Sequence, residues 1–165
     1  MRLRIASGGQ TGVDRAALDA AQTLGIVTGG WCPAGRWAED GPIPARYPLQ
    51  ETESADPAER TRRNVHDSDA TLVVAPALLT GGTARTVEVA HRLGRPVYVA
   101  APVPASVDAA VAWIERAVPV GGTLNVAGPR ESEAPGLGAV AEAWLAEVYD
   151  RVVSSSTARR KISRP

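Results

Sequence analysis

Three short stretches carry residue types that hold anions. The first is SGGQTGVD, residues 7–14. Ser7, Gly8, Gly9, Gln10, Thr11 and Gly12 offer backbone that a ligand can approach closely, because glycine places no side chain in the way. The second is Gly81-Gly82-Thr83, with Thr86 one turn later. The third is Gly128-Pro129-Arg130, whose arginine suits a phosphate clamp. The first two lead straight into helical patterns. Each would aim a helix N-terminus, with its free N–H groups and positive dipole end, at a ligand. The alternative is that all three are only tight strand-to-helix connections.

Other candidates stand near these turns. Glu88 follows the second glycine turn and suits a general base or a ribose-hydroxyl acceptor; it equally suits an i,i+4 pair with Arg92. Asp14 has capping-box spacing from Thr11, with ligand contact as its second use. Arg60, Thr61 and Asn64 share a helical face and could reach a phosphate or base, against the ordinary reading of a solvated face. Arg130 could instead pair with Glu131 or Glu133. Trp31 and Trp37 could stack on a ring or pack in the core; Trp113 and Trp144 fall on apolar stripes and read as core. Cys32 has no base beside it in sequence and reads as an unreactive loop cysteine. No His, Cys or carboxylate pair has metal-ligand spacing, so no metal site is expected.

The elements that must position these residues alternate. Leu3–Ala6 reads as a buried strand. Val13, Ala16, Ala17, Ala20, Ala21 and Leu24 form one helical face, ended by Gly25. Ile26–Thr28 reads as a strand. Residues 30–55 show neither period, and prolines at 33, 42, 44 and 48 exclude a regular interior element; so long an irregular stretch is usually functional or mobile. Asp56-Pro57 opens a helix. ATLVVA at 70–75 is a continuous apolar strand, as expected when both sheet faces are covered. A helix follows to about Leu93, then a strand at 97–100, a helix at 106–117, a strand at 123–127 and a last helix with Leu137, Val140, Ala141, Trp144, Leu145, Val148 and Val152 on one stripe. Residues 154–165, SSSTARRKISRP, read as a basic, disordered tail. The expected fold is a single three-layer, Rossmann-like α/β domain over 1–153, with a mostly parallel sheet and helices on both faces. Ligands of such sheets bind outside the carboxyl ends of the strands, and all three glycine turns belong on that edge.

The 165 residues suffice for one such domain. Formal net charge is zero, which argues against a nucleic-acid binder held by bulk charge. Seventeen of the eighteen basic residues are arginine, the residue suited to bidentate recognition of phosphate or carboxylate, although composition bias gives the same count. One cysteine allows no internal disulfide, and no apolar run is long enough for a membrane helix. The expected location is the cytoplasm. The expected partners are a small anionic ligand and further copies of the chain in a homo-oligomer. Gly8-Gly9-x-x-Gly12 lacks the Gly-x-Gly opening of the dinucleotide fingerprint, and no Walker lysine follows, so neither an NAD oxidoreductase nor a P-loop NTPase is expected.

SGGQTGVDRAALDAA, GWCPAGRWAEDGPIP, YPLQET, RTRRNVHDSDATLVV, GGTARTVEVA and LNVAGPRES together resemble the family named for molybdenum carriers, a circularly permuted YpsA-like branch of the SLOG, or lysine-decarboxylase-like, superfamily. The resemblance spans residues 3–153. It implies a Rossmann-like fold and, as ligand, a nucleotide or a pterin phosphate such as the molybdenum cofactor. The superfamily also holds phosphoribohydrolases with the motif Pro-Gly-Gly-x-Gly-Thr-x-x-Glu. Over Thr80–Glu88 the glycine pair and the Glu match, whereas the Pro, the third Gly and the Thr do not. The first expectation is therefore a binding or carrier protein. The alternative is a nucleotide-processing hydrolase using Glu88 and an arginine, and a third reading is a scaffold that only oligomerises.

Overall fold

A computed structural model describes residues 3–76 and 78–162, with side chains as far as 155. Five parallel strands form its centre: β1 (Arg4–Ala6), β2 (Val27–Gly29), β7 (Ala70–Val74), β8 (Val97–Ala100) and β9 (Thr123–Ala127). Their order is β2-β1-β9-β7-β8, so the last strand in the chain lies in the middle of the sheet. Register sets Ile5 beside Thr28 and Leu124, and Leu72 beside Val126 and Tyr98. Every residue of β7 is buried, as its unbroken apolar run requires.

The helices are α1 (Val13–Thr23), α2 (Pro57–His66), α3 (Gly81–Arg92), α4 (Val107–Ala117) and α5 (Leu137–Ile162). α1, α4 and α5 enclose the main core, where Ile5, Leu72, Leu124, Val126, Ile114, Leu145 and Tyr149 are buried together. α2 and α3 pack on each other and form the opposite layer. The α/β architecture is thus the expected one.

Four local expectations are corrected. Residues 30–55 are not devoid of pairing. β3 (Trp31–Cys32) pairs in parallel with β6 (Gln50–Glu51), and β4 (Trp37–Ala38) forms an antiparallel hairpin with β5 (Gly41–Pro42). Two-residue strands tolerate nearby prolines because so few ladder bonds are needed. Thr11 does not cap α1: its N-cap is Gly12 without a side-chain bond, and the Thr11 hydroxyl is directed to Glu39 instead. Gly81 and Gly82 are the first residues of α3 rather than a turn before it. Finally, α5 continues through the expected tail to Ile162, because extending an existing helix avoids nucleation and Ala, Arg and Lys propagate it well; residues 163–165 lie outside the described part.

Candidate anion-binding cleft

The three turns do meet. Gln10 and Asp14 from the first, Gly81, Gly82, Thr83 and Thr86 from the second, and Gly128 and Arg130 from the third line one cleft of about 320 Å³ at the carboxyl edge of the sheet. α2 closes one side with Arg60 and Thr61, and the β4–β5 hairpin adds Trp37 at the rim. Arg85, on the first turns of α3, completes a group of three arginines. The Thr83 and Ala84 amides of α3 donate to the Thr80 carbonyl, while Gly81 and Gly82, ahead of them, have no acceptor within their own helix and line the cleft at its positive pole.

Close packing holds these pieces in place. Gly12 sits at φ 75°, and a Cβ there would meet Pro129 O at 2.5 Å; the Val13 amide donates to that same carbonyl. Gly128 is pressed against the Val74 carbonyl and Val13. The first and third turns therefore touch through bare backbone. The β4–β5 hairpin is tied down by Glu39, which accepts from Thr11, from the Ser132 hydroxyl and from the Ser132 amide. Those bonds, Ser132 first and Thr11 second, hold the Glu39 carboxyl below the usual range. Gln10 Oε1 accepts the Glu39 amide, and Arg15 pairs with Asp40.

Asp14 lies at the bottom of this arrangement, 2% exposed. Its Oδ2 accepts from the Gln10 amide and from Arg60 Nη1, each at 3.3 Å. Its Oδ1 is buried without a partner, as are Arg60 Nε and Thr83 Oγ1. Burial pushes the Asp14 carboxyl above its ordinary value, and Arg60 opposes that rise. Gly8 leaves room for the Arg60 guanidinium: a Cβ there would come within 2.0 Å of Nη1.

Other expected site residues take different places. Ser7 is internal, its hydroxyl donating to Val126 O. Gly9 packs beneath Ile43 and Leu49. Asn64 clamps Trp31, accepting its amide and donating to its carbonyl. Both line a separate hollow with Asp67 and Gln50, and Trp31 carries the Arg63 guanidinium on its face, 4.7 Å from the ring centre. Thr86 lines the cleft but spends its hydroxyl on Gly82 O. Arg130 lines it while paired with Glu133 at 3.2 Å. Glu88 is exposed on α3 and is not among the lining residues. Cys32 is buried, and burial raises its thiol pKa. Sequence reasoning passed over Arg85 and did not separate Trp37, which lines the cleft, from Trp31, which does not. Nothing in periodicity distinguishes the two tryptophans; the hairpin does.

The chain as a whole is similar to known proteins. The model of the family described as "Circularly permutated YpsA SLOG family" matches residues 5–149. A crystal structure from Syntrophus aciditrophicus SB, named "Putative molybdenum carrier protein", is 40% identical; the match covers 88% of this chain and 93% of that one, with a TM-score of 0.79. No curated protein matches. A matched region that takes in the three turns, α2, α3 and the centrally inserted last strand leaves one assignment: the chain belongs to the circularly permuted YpsA family of the SLOG superfamily.

Proposed function

We propose that the chain binds and carries an anionic small molecule of nucleotide-like or pterin type in the cleft between the three turns. One observation carries this reading: Arg60, Arg85, Arg130 and the N-terminus of α3 line a single cleft in which buried polar atoms of Asp14, Arg60 and Thr83 lack partners. Helix N-termini and arginines together suit phosphate. The relative's name is the reason a molybdenum-bearing pterin stands among the ligands to test. No three His, Cys, Asp or Glu side chains group as metal ligands among the described residues. What the cleft offers such a cargo is a grip on its phosphate. The hydrolase alternative needs Glu88 at the reacting bond, and Glu88 is not among the residues lining the cleft. We read the protein as cytoplasmic; among the described residues no helix is long and apolar enough to cross a membrane. We also read it as a homo-oligomer, with the open β8 edge and exposed Val99 as the surface in favour, to be checked by light scattering.

The test is a melting screen with AMP, ADP-ribose, NAD, GTP and the molybdenum cofactor, followed by recovery of the ligand. Binding at a hundredfold excess over Kd adds about 2.7 kcal/mol, on the order of 2–8 °C for a domain of this size. An upward shift with the ligand recovered intact supports a carrier. Released base or phosphate points to the hydrolase. No shift with any of them overturns both.

A further inference from the structure

Asp14 is a buried carboxylate in a cleft otherwise suited to anions. An ionised carboxylate only accepts hydrogen bonds. This one is almost fully buried, and its Oδ1 has no donor. Leaving such a group unpaired is strongly unfavourable. Its neighbours relieve it only in part: Arg60, the Gln10 amide, the Ser7 hydroxyl and Arg15 all favour the charged form, but the Ser7 hydroxyl donates to Val126 O, and the two bonds Asp14 makes are at the long end of the range and both go to Oδ2. Thr83, 4% exposed on α3, has a hydroxyl in the same cleft that is also unpartnered. The cleft thus combines three arginines and the N-terminus of α3 with a buried acceptor, Asp14 Oδ1, that has no donor.

We propose that Asp14 sets the selectivity of the cleft, admitting an anion that also carries a hydroxyl or amino donor and disfavouring a bare tetrahedral oxyanion. This rests on the binding reading above. A bare oxyanion, fully deprotonated, can satisfy the arginines and the α3 amides but gives Asp14 nothing, and it brings negative charge towards a carboxylate. A molecule with a phosphate at one end and a donor at the other satisfies both. The volume agrees: about 320 Å³ lies in the range of organic small-molecule sites. Trp37, 50% exposed at the rim, supplies a flat apolar surface for a ring, which an inorganic ion would not use. Asp56 and Glu133 add further negative charge around the opening and act in the same direction.

The experiment compares AMP and ribose 5-phosphate with sulfate and molybdate, which are fully deprotonated at neutral pH, by calorimetric titration of the full chain. The donor-bearing phosphates should bind at least tenfold more tightly than either oxyanion. Asp14→Asn, which removes the charge and replaces one acceptor by a donor, should narrow that ratio by about tenfold and leave sulfate and molybdate binding unchanged or improved. Equal affinity of the wild-type protein for molybdate or sulfate and for the organic phosphates overturns the proposal while the binding reading stands. An unchanged ratio in a folded Asp14→Asn protein does the same. Failure of every anion to bind removes both. The wild-type ratio is decisive by itself if the variant does not fold.

Discussion

At the residue scale, the glycines of the cleft divide by what surrounds them. Gly12→Ala and Gly128→Ala would drive a Cβ into the Pro129 and Val74 carbonyls, which cannot swing aside. Each should lose about 2 kcal/mol or more in urea unfolding. Gly82 has ordinary φ and open space around it. Gly82→Ala should keep or raise stability by about 0.5 kcal/mol through helix propensity, yet weaken ligand binding, because the added methyl enters the cleft. A Gly82→Ala protein that melts lower and binds as before would contradict this. Asp14 gives a pH signature. Because burial raises its folded pKa above the ordinary 3.8, the folded state holds more protons in the window above 3.8, and stability falls as pH rises through it. Glu39, Asp40 and Asp67 have the opposite sign: the Ser132 and Thr11 bonds, the Arg15 bond and the His66 bond lower their values. Their contributions are present above their ordinary values and are lost as pH falls through the lowered ones. In Asp14→Asn the falling limb above 3.8 should vanish and the acid loss remain; persistence of that limb would assign it elsewhere. The residue types of this cleft were legible in the sequence because glycine turns and arginines are local signals. That Asp14 is a buried acceptor was not, since its capping spacing is satisfied on paper and only the folded neighbours show Thr11 directed to Glu39.

At the scale of elements, the informative case is the stretch from Trp31 to Glu51. Its prolines were legible as breakers, but the two tiny sheets were not, because a two-residue strand leaves no period to read. What orders it is Arg36, the one non-glycine residue at positive φ among those described (53°). Its guanidinium donates to the carbonyls of Ile43, Leu49, Pro44 and Tyr47, doing for the loop what a ladder does for a sheet. Beneath it Leu18, Cys32, Ala38, Ile43, Tyr47 and Leu49 form a second small core. Tyr47, its phenol pushed up to about 12 by burial and by Asp19, stays protonated and donates to that carboxylate. Arg36→Ala should therefore cost about 3 kcal/mol and raise amide exchange across residues 31–51 while leaving β7 and β9 protected. Uniform loss of protection would mean the loop is not a separate unit. The same variant should weaken ligand binding, since the hairpin carrying Trp37 depends on this loop.

At the scale of the molecule, the alternation of strands and helices revealed the fold class, and the carboxyl-edge rule revealed which turns would meet. Strand order was not legible, because nothing local says that β9 inserts between β1 and β7. That insertion bears on biosynthesis. β1–β2 and β7–β8 are two pairs with no hydrogen-bonded contact to each other. A nascent chain must hold both pairs, with their buried apolar faces uncovered, until residues 123–127 emerge, and α5, which packs on α1, follows later still. A fragment ending at Val118 should accordingly show no cooperative melting transition and should bind hydrophobic dyes, whereas the full chain melts in one step; a cooperative transition in the fragment would refute this. Such a chain depends on late, long-range closure, which favours slow folding and a need for chaperone protection during synthesis. Apart from the cleft residues between Ala127 and Glu133, both walls of the cleft leave the ribosome before the strand that joins them.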